Sequence, residues 1–493
     1  MFVSTGLLPS PLTSPQQPSF PSSPPLLQLL PEFLASLAQQ AQVSQNLAGT
    51  TQLAALSTPP VVSNVQGAIQ LPPQPAPSSP AAGGGQQPPP GLPARVIDIP
   101  PPNENRFIQD EVILQIAGNI TVEQLQAAVA QLGLTLLASQ NLAITGSTAV
   151  QFRITDGRTP ADIIRALAAI QLVAVAQPNY VYSLEQTAPA DQTPASRGDT
   201  GQQGDAAQYI LDNLKMLDVH RMVRGANITI AVIDSEIDVA HPDLAGVVAQ
   251  RFSAVGGAPE KPHAHGTGMA GAMAARQRIL GTAPGARLLA VHAFSSNAAK
   301  AESTTFNILK GIDWSVGQGA RIINMSFAGP KDPSLQRALK LAYDKGIVLV
   351  AAAGNAGAKS PPLFPGADPL VIAVTATDVD DKLFTGANRG SYISVAAPGV
   401  DILVPAPDNA YQLTTGTSVA AAEVSGIVAL LLERNPKLTP ADIRRILTAS
   451  ARRLGPGERD DNFGAGLIDP LKALQLADPR STATPGPTTL RQR

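Results

Sequence analysis

From residue 206 onward the chain alternates short, nearly unbroken apolar runs with longer stretches whose apolar residues recur at helical spacing. The runs fall at residues 228–233, 288–293, 322–325, 347–352 and 371–374. A strand that is apolar at every position has both faces covered, which is the situation of a parallel strand between layers of helices. The stretches between carry helix starts: Asp332 precedes Pro333, and Thr439 precedes Pro440 and Asp442. A side-chain oxygen at such a place satisfies a free N–H of the first turn, and proline loses nothing at the first helical position. The pattern predicts an α/β domain over residues 206–477, built on a doubly wound, mostly parallel sheet.

Residues 103–186 read differently, as strand, helix, two strands, helix, strand. Strand-like runs lie at 112–114, 150–154 and 180–182. Thr121 with Gln124 has the spacing of a capping box, and Thr159 is followed by Pro160 and Asp162 in a first turn. This predicts a small α+β unit of βαββαβ, ferredoxin-like order. Between the two units, residues 187–205 are rich in Ala, Pro, Gln, Gly, Thr and Asp without apolar period, the pattern of an exposed linker open to proteolysis.

The first 102 residues hold nearly half of the 46 prolines, and Glu32 is the only charged residue before Arg95. Such sequence buries little and favours extended, solvated backbone, so it reads as a disordered Pro/Gln-rich arm with one short amphipathic helix over 26–41. The start lacks Lys and Arg, and Pro9 interrupts Leu7-Leu8, so no clear signal peptide opens it. The longest apolar run, 427–432, falls far short of the ~20 residues of a membrane span and reads as a buried helix end. Residues 478–493 read as a flexible tail.

Charge and cysteine content narrow the chemistry. With 35 Lys and Arg against 37 Asp and Glu, the net charge of −2 offers no footprint for nucleic acid or an anionic membrane. No cysteine is present, which excludes disulfides, thiolate metal sites and a cysteine nucleophile. Hydroxyl chemistry remains, and in a doubly wound sheet it belongs at the carboxyl ends of the strands. Three polar groups stand at such places. Asp234 ends the run 228–233, His265 opens a Gly-rich helical start, and Ser418 precedes a strongly apolar helix. Serine attacks only when an imidazole takes its proton, and a buried carboxylate fixes that imidazole's tautomer. Taken singly, Asp234 is a turn former and Ser418 an N-cap. His263 and His265 form an HxH pair, but no further ligand falls at metal-binding spacing, and His263 reads as an exposed loop residue. Asp378, Asp380 and Asp381 read as a solvated acidic turn.

The domain resembles the subtilisin-like serine proteases. The resemblance is carried by Ala231-Val232-Ile233-Asp234, His265-Gly266-Thr267 and Gly416-Thr417-Ser418 in that order, with His241-Pro242-Asp243-Leu244 and Ile323-Asn324-Met325-Ser326 beside them. It implies that Asp234 orients, His265 acts as base and then acid, and Ser418 attacks the scissile carbonyl. It also implies that Asn355, in Ala352-Ala353-Gly354-Asn355, donates to the oxyanion together with the Ser418 N–H. By the same resemblance Ser326, Phe327, Ala328 and Gly329, with Ala352, Ala353 and Gly354, border a mostly apolar substrate cleft. The α+β unit, ending in Gln177-Pro178-Asn179-Tyr180, resembles the family's inhibitory propeptides. That implies a zymogen that processes itself in 187–205, whose partners are a protein or peptide substrate and its own N-terminal unit. The implied location is outside the cell or in the periplasm. The chemistry needs no cofactor and no metal. Structural calcium is left open, because Arg276-Gln277-Arg278 runs directly into Ile279-Leu280-Gly281 where relatives carry an Asn-rich insertion.

Three flanks depart from the family pattern. Ser235-Glu236 stands for Thr-Gly, Gly268 for a second His, and Ala422-Glu423 for Pro-His. An inward Glu236 raises the pKa values of Asp234 and His265, while an outward one changes little; Glu423 must be solvated or paired. These flanks favour an alternative, a weakened homologue that only grips peptides by strand addition. Retention of all four chemical groups opposes it.

Overall fold

The computed structural model describes residues 95–184, 207–296 and 301–479. The expected helix over 26–41, the linker 187–205 and most of the tail lie outside the described residues.

The N-terminal unit comprises β1 (Val96–Ile97), β2 (Phe107–Ala117), α1 (Val122–Val129), β3 (Leu134–Leu142), β4 (Ser147–Ile154), α2 (Pro160–Leu167) and β5 (Val173–Leu184). Its strands run in the order β1-β5-β2-β4-β3. Both helix starts follow from their caps: Thr121 and Gln124 form the reciprocal capping box, and the Thr159 hydroxyl accepts from the Asp162 N–H. Leu125 and Val129 of α1 and Ile163, Ile164 and Leu167 of α2 bury one sheet face together with Val112, Leu114, Val150 and Phe152. The arm expected to reach residue 102 gives way earlier. Val96 and Ile97 pair in parallel with Val175 and Ala176, and the Arg95 guanidinium donates to the carbonyls of Leu167, Ile170 and Val173, closing the end of α2.

The second unit begins with short helices α3 (Tyr209–Asn213) and α4 (Met216–His220). It continues as β6 (Thr229–Asp234), β7 (Val248–Ser253), α5 (Ala264–Ala274), β8 (Arg287–His292), β9 (Glu302–Thr304), α6 (Thr305–Gly317), β10 (Ile322–Met325), β11 (Phe327–Ala328), α7 (Pro333–Asp344), β12 (Val348–Ala352), β13 (Ile372–Thr377) and β14 (Ile393–Pro398). A hairpin, β15 (Ile402–Ala406) and β16 (Ala410–Thr414), leads into α8 (Thr417–Arg434), α9 (Pro440–Ser450) and α10 (Pro470–Ala477). The main sheet is parallel, in the order β14-β13-β12-β10-β6-β8-β7. Alternate residues divide between its faces: Ile230, Val232, Val348 and Val350 pack with α5 and α8, while Ala231, Ile233, Leu349 and Ala351 pack with α6 and α7. β6 lies between β8 and β10, where the strand order reverses direction, so Asp234 ends the strand at the crevice where such sheets place ligands.

The two units share a buried face. Ile113, Ala149, Tyr180 and Tyr182 of the smaller sheet join the cluster built on α6 and α7. Polar bonds fix the docking: Asp313 accepts from Ile144 N at 2.7 Å, the Arg337 guanidinium donates to Thr145 O, and Asn179 Oδ1 accepts from Phe306 N in the first turn of α6.

α8 is buried from Thr417 to Leu432, and the one charged residue in that stretch is Glu423, which is 2% exposed with Oε2 lacking any hydrogen-bond partner. The expectation that this carboxyl is solvated or ion-paired fails, because it is buried and no ion pair reaches it among the described residues. Burial pushes its pKa well above the ordinary 4.5, opposed by the Thr282 hydroxyl. Folding therefore keeps a proton that the unfolded chain releases above its ordinary pKa. The helix's contribution is fully present below that value and is lost as pH rises towards the folded one. Glu423→Gln is expected to raise Tm by roughly 2–6 °C at pH 8 and to leave it nearly unchanged at pH 4.5. A difference independent of pH would contradict this account.

Candidate active site

Asp234 is completely buried at the end of β6. Its Oδ1 accepts from Ser235 N at 2.7 Å and Ser235 Oγ at 3.1 Å, and lies 2.8 Å from His265 Nδ1. The carboxylate thus holds one ring nitrogen of His265, and the other, Nε2, is buried with no hydrogen-bond partner. A buried polar atom left unspent beside a carboxylate is the arrangement expected of a proton acceptor. His265 sits in the first turn of α5, which can approach β6 because residue 266 is glycine: a Cβ there would meet Ser235 O at 2.4 Å.

His263 departs from its expected place in an exposed loop. It is half-buried and caps α5, its Nδ1 accepting from His265 N at 3.3 Å and standing 3.1 Å from Ser235 Oγ. Burial first, and then the neighbouring His265, hold its imidazole below the usual histidine range. Glu236 turns away from Asp234 to pair with Arg251 and His292.

Ser418 lies in the first turn of α8, packed against α5, and is 3% exposed. Its Oγ is 3.4 Å from Ser326 O, while Ser326 Oγ donates to Ser418 O at 2.9 Å. Asn324 and Ser425 continue this buried chain of bonds, so the turn that bears Ser418 is fastened to the end of β10. Asn355 follows β12 beyond the buried Ala352, Ala353 and Gly354. Its Oδ1 accepts from Thr417 N at 3.0 Å and Thr417 Oγ at 2.8 Å, which turns the amide nitrogen away from Thr417. The Gly354 N–H donates to Thr417 Oγ at 3.1 Å, with Gly354 at φ +109, a conformation that favours glycine.

Gly268 and Ala422 also have structural settings. A Cβ at 268 would come 3.0 Å from Val404 of the hairpin, and Ala422 leaves α8 unbroken.

Residues 225–466 match the Subtilase family. The chain is 35% identical to subtilisin DY of Bacillus licheniformis over 261 residues, which is 51% of this chain and 92% of that protein. This chain is a subtilase. It is also 33% identical to the thermophilic serine proteinase of Bacillus sp. (strain AK1), covering 66% of this chain and 78% of the relative. Its fold matches the crystal structure of fervidolysin from Fervidobacterium pennivorans, a keratinolytic enzyme related to subtilisin, with a TM-score of 0.62 and 25% identity over 75% of this chain and 61% of that one. The subtilase is accordingly a serine endopeptidase. No helix among its described residues is long and apolar enough to cross a membrane.

The α/β unit of this subtilase takes up a strand of the N-terminal unit between two short strands of its own. Val181, Tyr182 and Ser183 of β5 pair antiparallel with Thr304, Ser303 and Glu302 of β9, and on the other side Ser183 and Leu184 pair with Ala328 and Phe327 of β11. β5 is therefore the middle strand of three. Asp332, which the sequence marks only as a helix cap, also reaches across to it: Oδ1 accepts from Leu335 N and Gln177 Nε2, and Oδ2 from Thr305 Oγ. Burial pushes the Asp332 carboxyl up, opposed by these donors. Sequence patterning misses β9 and β11 because three- and two-residue strands carry no period.

Proposed function

We propose that this subtilase is a self-processing zymogen in which Asp234, His265 and Ser418 form the catalytic triad and the N-terminal unit is an inhibitory propeptide. The observation that carries this reading is the buried Asp234–His265 bond, which leaves Nε2 as a proton acceptor beside the helix that bears Ser418. In this mechanism His265 takes the Ser418 proton as Oγ attacks the scissile carbonyl, and Asp234 stabilises the imidazolium. The oxyanion receives the Ser418 N–H and the Asn355 amide. His265 then gives its proton to the leaving amine, and water hydrolyses the acyl-enzyme by the same route reversed.

The register supports an intramolecular substrate. Phe327 pairs with Leu184, the last described residue of β5, and the carbonyl of the neighbouring Ser326 lies 3.4 Å from Ser418 Oγ. Cleavage should follow β5 closely, at the start of the expected processing region. A fluorophosphonate probe, which labels only an activated serine, is expected to modify Ser418 in protein that has been incubated and processed. Processed protein without label at Ser418 would refute the assignment of the nucleophile. We also place its action outside the cell, where a relative named minor extracellular protease Epr, of Bacillus subtilis (strain 168) and 36% identical over 250 residues, is found by its name.

We further propose that the fold needs no calcium near Asp243. This carboxylate is fully buried, and protein donors meet both oxygens: Gln277 N at 2.9 Å and Ile279 N at 3.3 Å on Oδ1, and Tyr411 OH at 2.6 Å on Oδ2. The Arg278 guanidinium lies over the Tyr411 ring at 4.4 Å, supplying positive charge beside the cluster. These groups do not fit a cation ligand set, because the oxygens face N–H and O–H donors. Excess EDTA is expected to shift Tm by less than about 1 °C; a fall of several degrees would show a bound ion stabilising the fold.

A further inference from the structure

Tyr182 in β5 occupies an enclosed pocket of the α/β unit. Its ring meets Phe327 edge to face, with centroids 5.8 Å apart, and Phe294 backs Phe327 at 4.9 Å. The floor is Gly329: a Cβ there would come 2.3 Å from Tyr182 Cδ1, so any other residue would shut the pocket. At the far end the phenol hydroxyl lies 3.2 Å from Asp332 Oδ2 and 3.3 Å from Pro330 O. Tyr182 and Asp332 are both 0% exposed. Both partners of the hydroxyl belong to the α/β unit, and so meet any extended peptide that replaces β5.

We propose that this pocket makes the enzyme select tyrosine over phenylalanine in its substrates, at the position that lies opposite Ser303 of β9. The inference rests on reading the cleft-bound end of β5 as a substrate mimic. A pocket of apolar groups alone tells tyrosine from phenylalanine poorly, because both rings fill it equally. A buried acceptor changes this. Phenylalanine leaves Asp332 Oδ2 with only the Thr305 hydroxyl and Pro330 O without this donor, in a place that the bound ring closes to water. Asp332 owes its position to α7, whose first turn it caps, so the acceptor is held before substrate arrives.

The test uses the processed full-length protein and three internally quenched peptides with the sequence of residues 178–190, carrying Tyr, Phe or Ala at position 182, with the cut mapped by mass. Tyrosine is expected to exceed phenylalanine in kcat/KM by about tenfold, and alanine to be the poorest. Asp332→Asn, which keeps a capping oxygen, is expected to bring the Tyr-to-Phe ratio towards one. If that variant does not fold, the wild-type ratio decides alone. Equal rates for Tyr and Phe, or a ratio unchanged in a folded Asp332→Asn enzyme, would overturn the inference and leave the peptidase reading intact. Hydrolysis of none of the peptides would overturn the peptidase reading and this inference with it.

Discussion

Ser418→Ala is expected to fold normally and to hydrolyse peptides about 10⁶-fold more slowly than wild type, the magnitude known for nucleophile removal in triads of this family. The loss is this large because the groups act as a unit. Without Oγ no acyl-enzyme forms, and only the oxyanion donors and substrate binding still favour the reaction. Folding should survive because the hydroxyl's packing role is small: it makes a 3.4 Å contact to Ser326 O, while the bond that fastens the turn runs from Ser326 Oγ to the Ser418 carbonyl, which alanine retains. Rates on a quenched peptide and Tm together check this. Activity within tenfold of wild type would remove Ser418 from the mechanism, and a collapsed Tm would give the residue a structural role instead.

Asp234→Asn is expected to lower kcat about 10⁴-fold at neutral pH, again by analogy with measured triads. The physical cause is the tautomer. Asp234 Oδ1 lies 2.8 Å from His265 Nδ1, so the carboxylate holds the ring proton there and leaves Nε2 to accept from serine. An asparagine that presents its amide hydrogens to Nδ1 instead places the ring proton on Nε2, where it faces the nucleophile. The same oxygen position accepts from Ser235 N and Ser235 Oγ, so an amide nitrogen placed there gives up those two bonds as well, and Tm measured beside kcat separates the lost tautomer from a displaced side chain. A pH–rate profile checks the cause as well as the size. The rate should recover at alkaline pH, where the serine can be deprotonated without the imidazole, and a loss below tenfold would mean that Asp234 does not set the tautomer.

The sheet was legible at β6, β8, β10, β12 and β13, because the apolar run itself is the signal, but not at the equally buried β14, whose Ile-Ser-Val-Ala-Ala-Pro is broken by a serine and ends in proline. β7 was missed because an edge strand is partly exposed, and its sequence Val-Ala-Gln-Arg-Phe-Ser has no continuous run. β16 was lost for the same reason, and β1 was hidden in a proline-rich stretch although Arg95 and Val96 break its composition. In the site, Asp234 at a strand end and Ser418 at a helix start were visible as positions, since caps and strand ends are local. What the sequence could not show is side-chain direction. Glu423 points into the core, Glu236 points to Arg251, and His263 turns inward to cap α5, three outcomes that depend on how helices and loops meet across the sheet. The contacts of Tyr182 with Gly329 and Asp332 join residues about 150 positions apart and follow from the register of β5 between β9 and β11.

The most direct test of the account is the intact mass of purified wild-type and Ser418→Ala protein after incubation. The account predicts that wild type alone is cut, within a few residues beyond Leu184, to give an N-terminal fragment carrying β5 and a fragment carrying the triad. Two intact chains, or equal cutting in both, would contradict self-processing by Ser418.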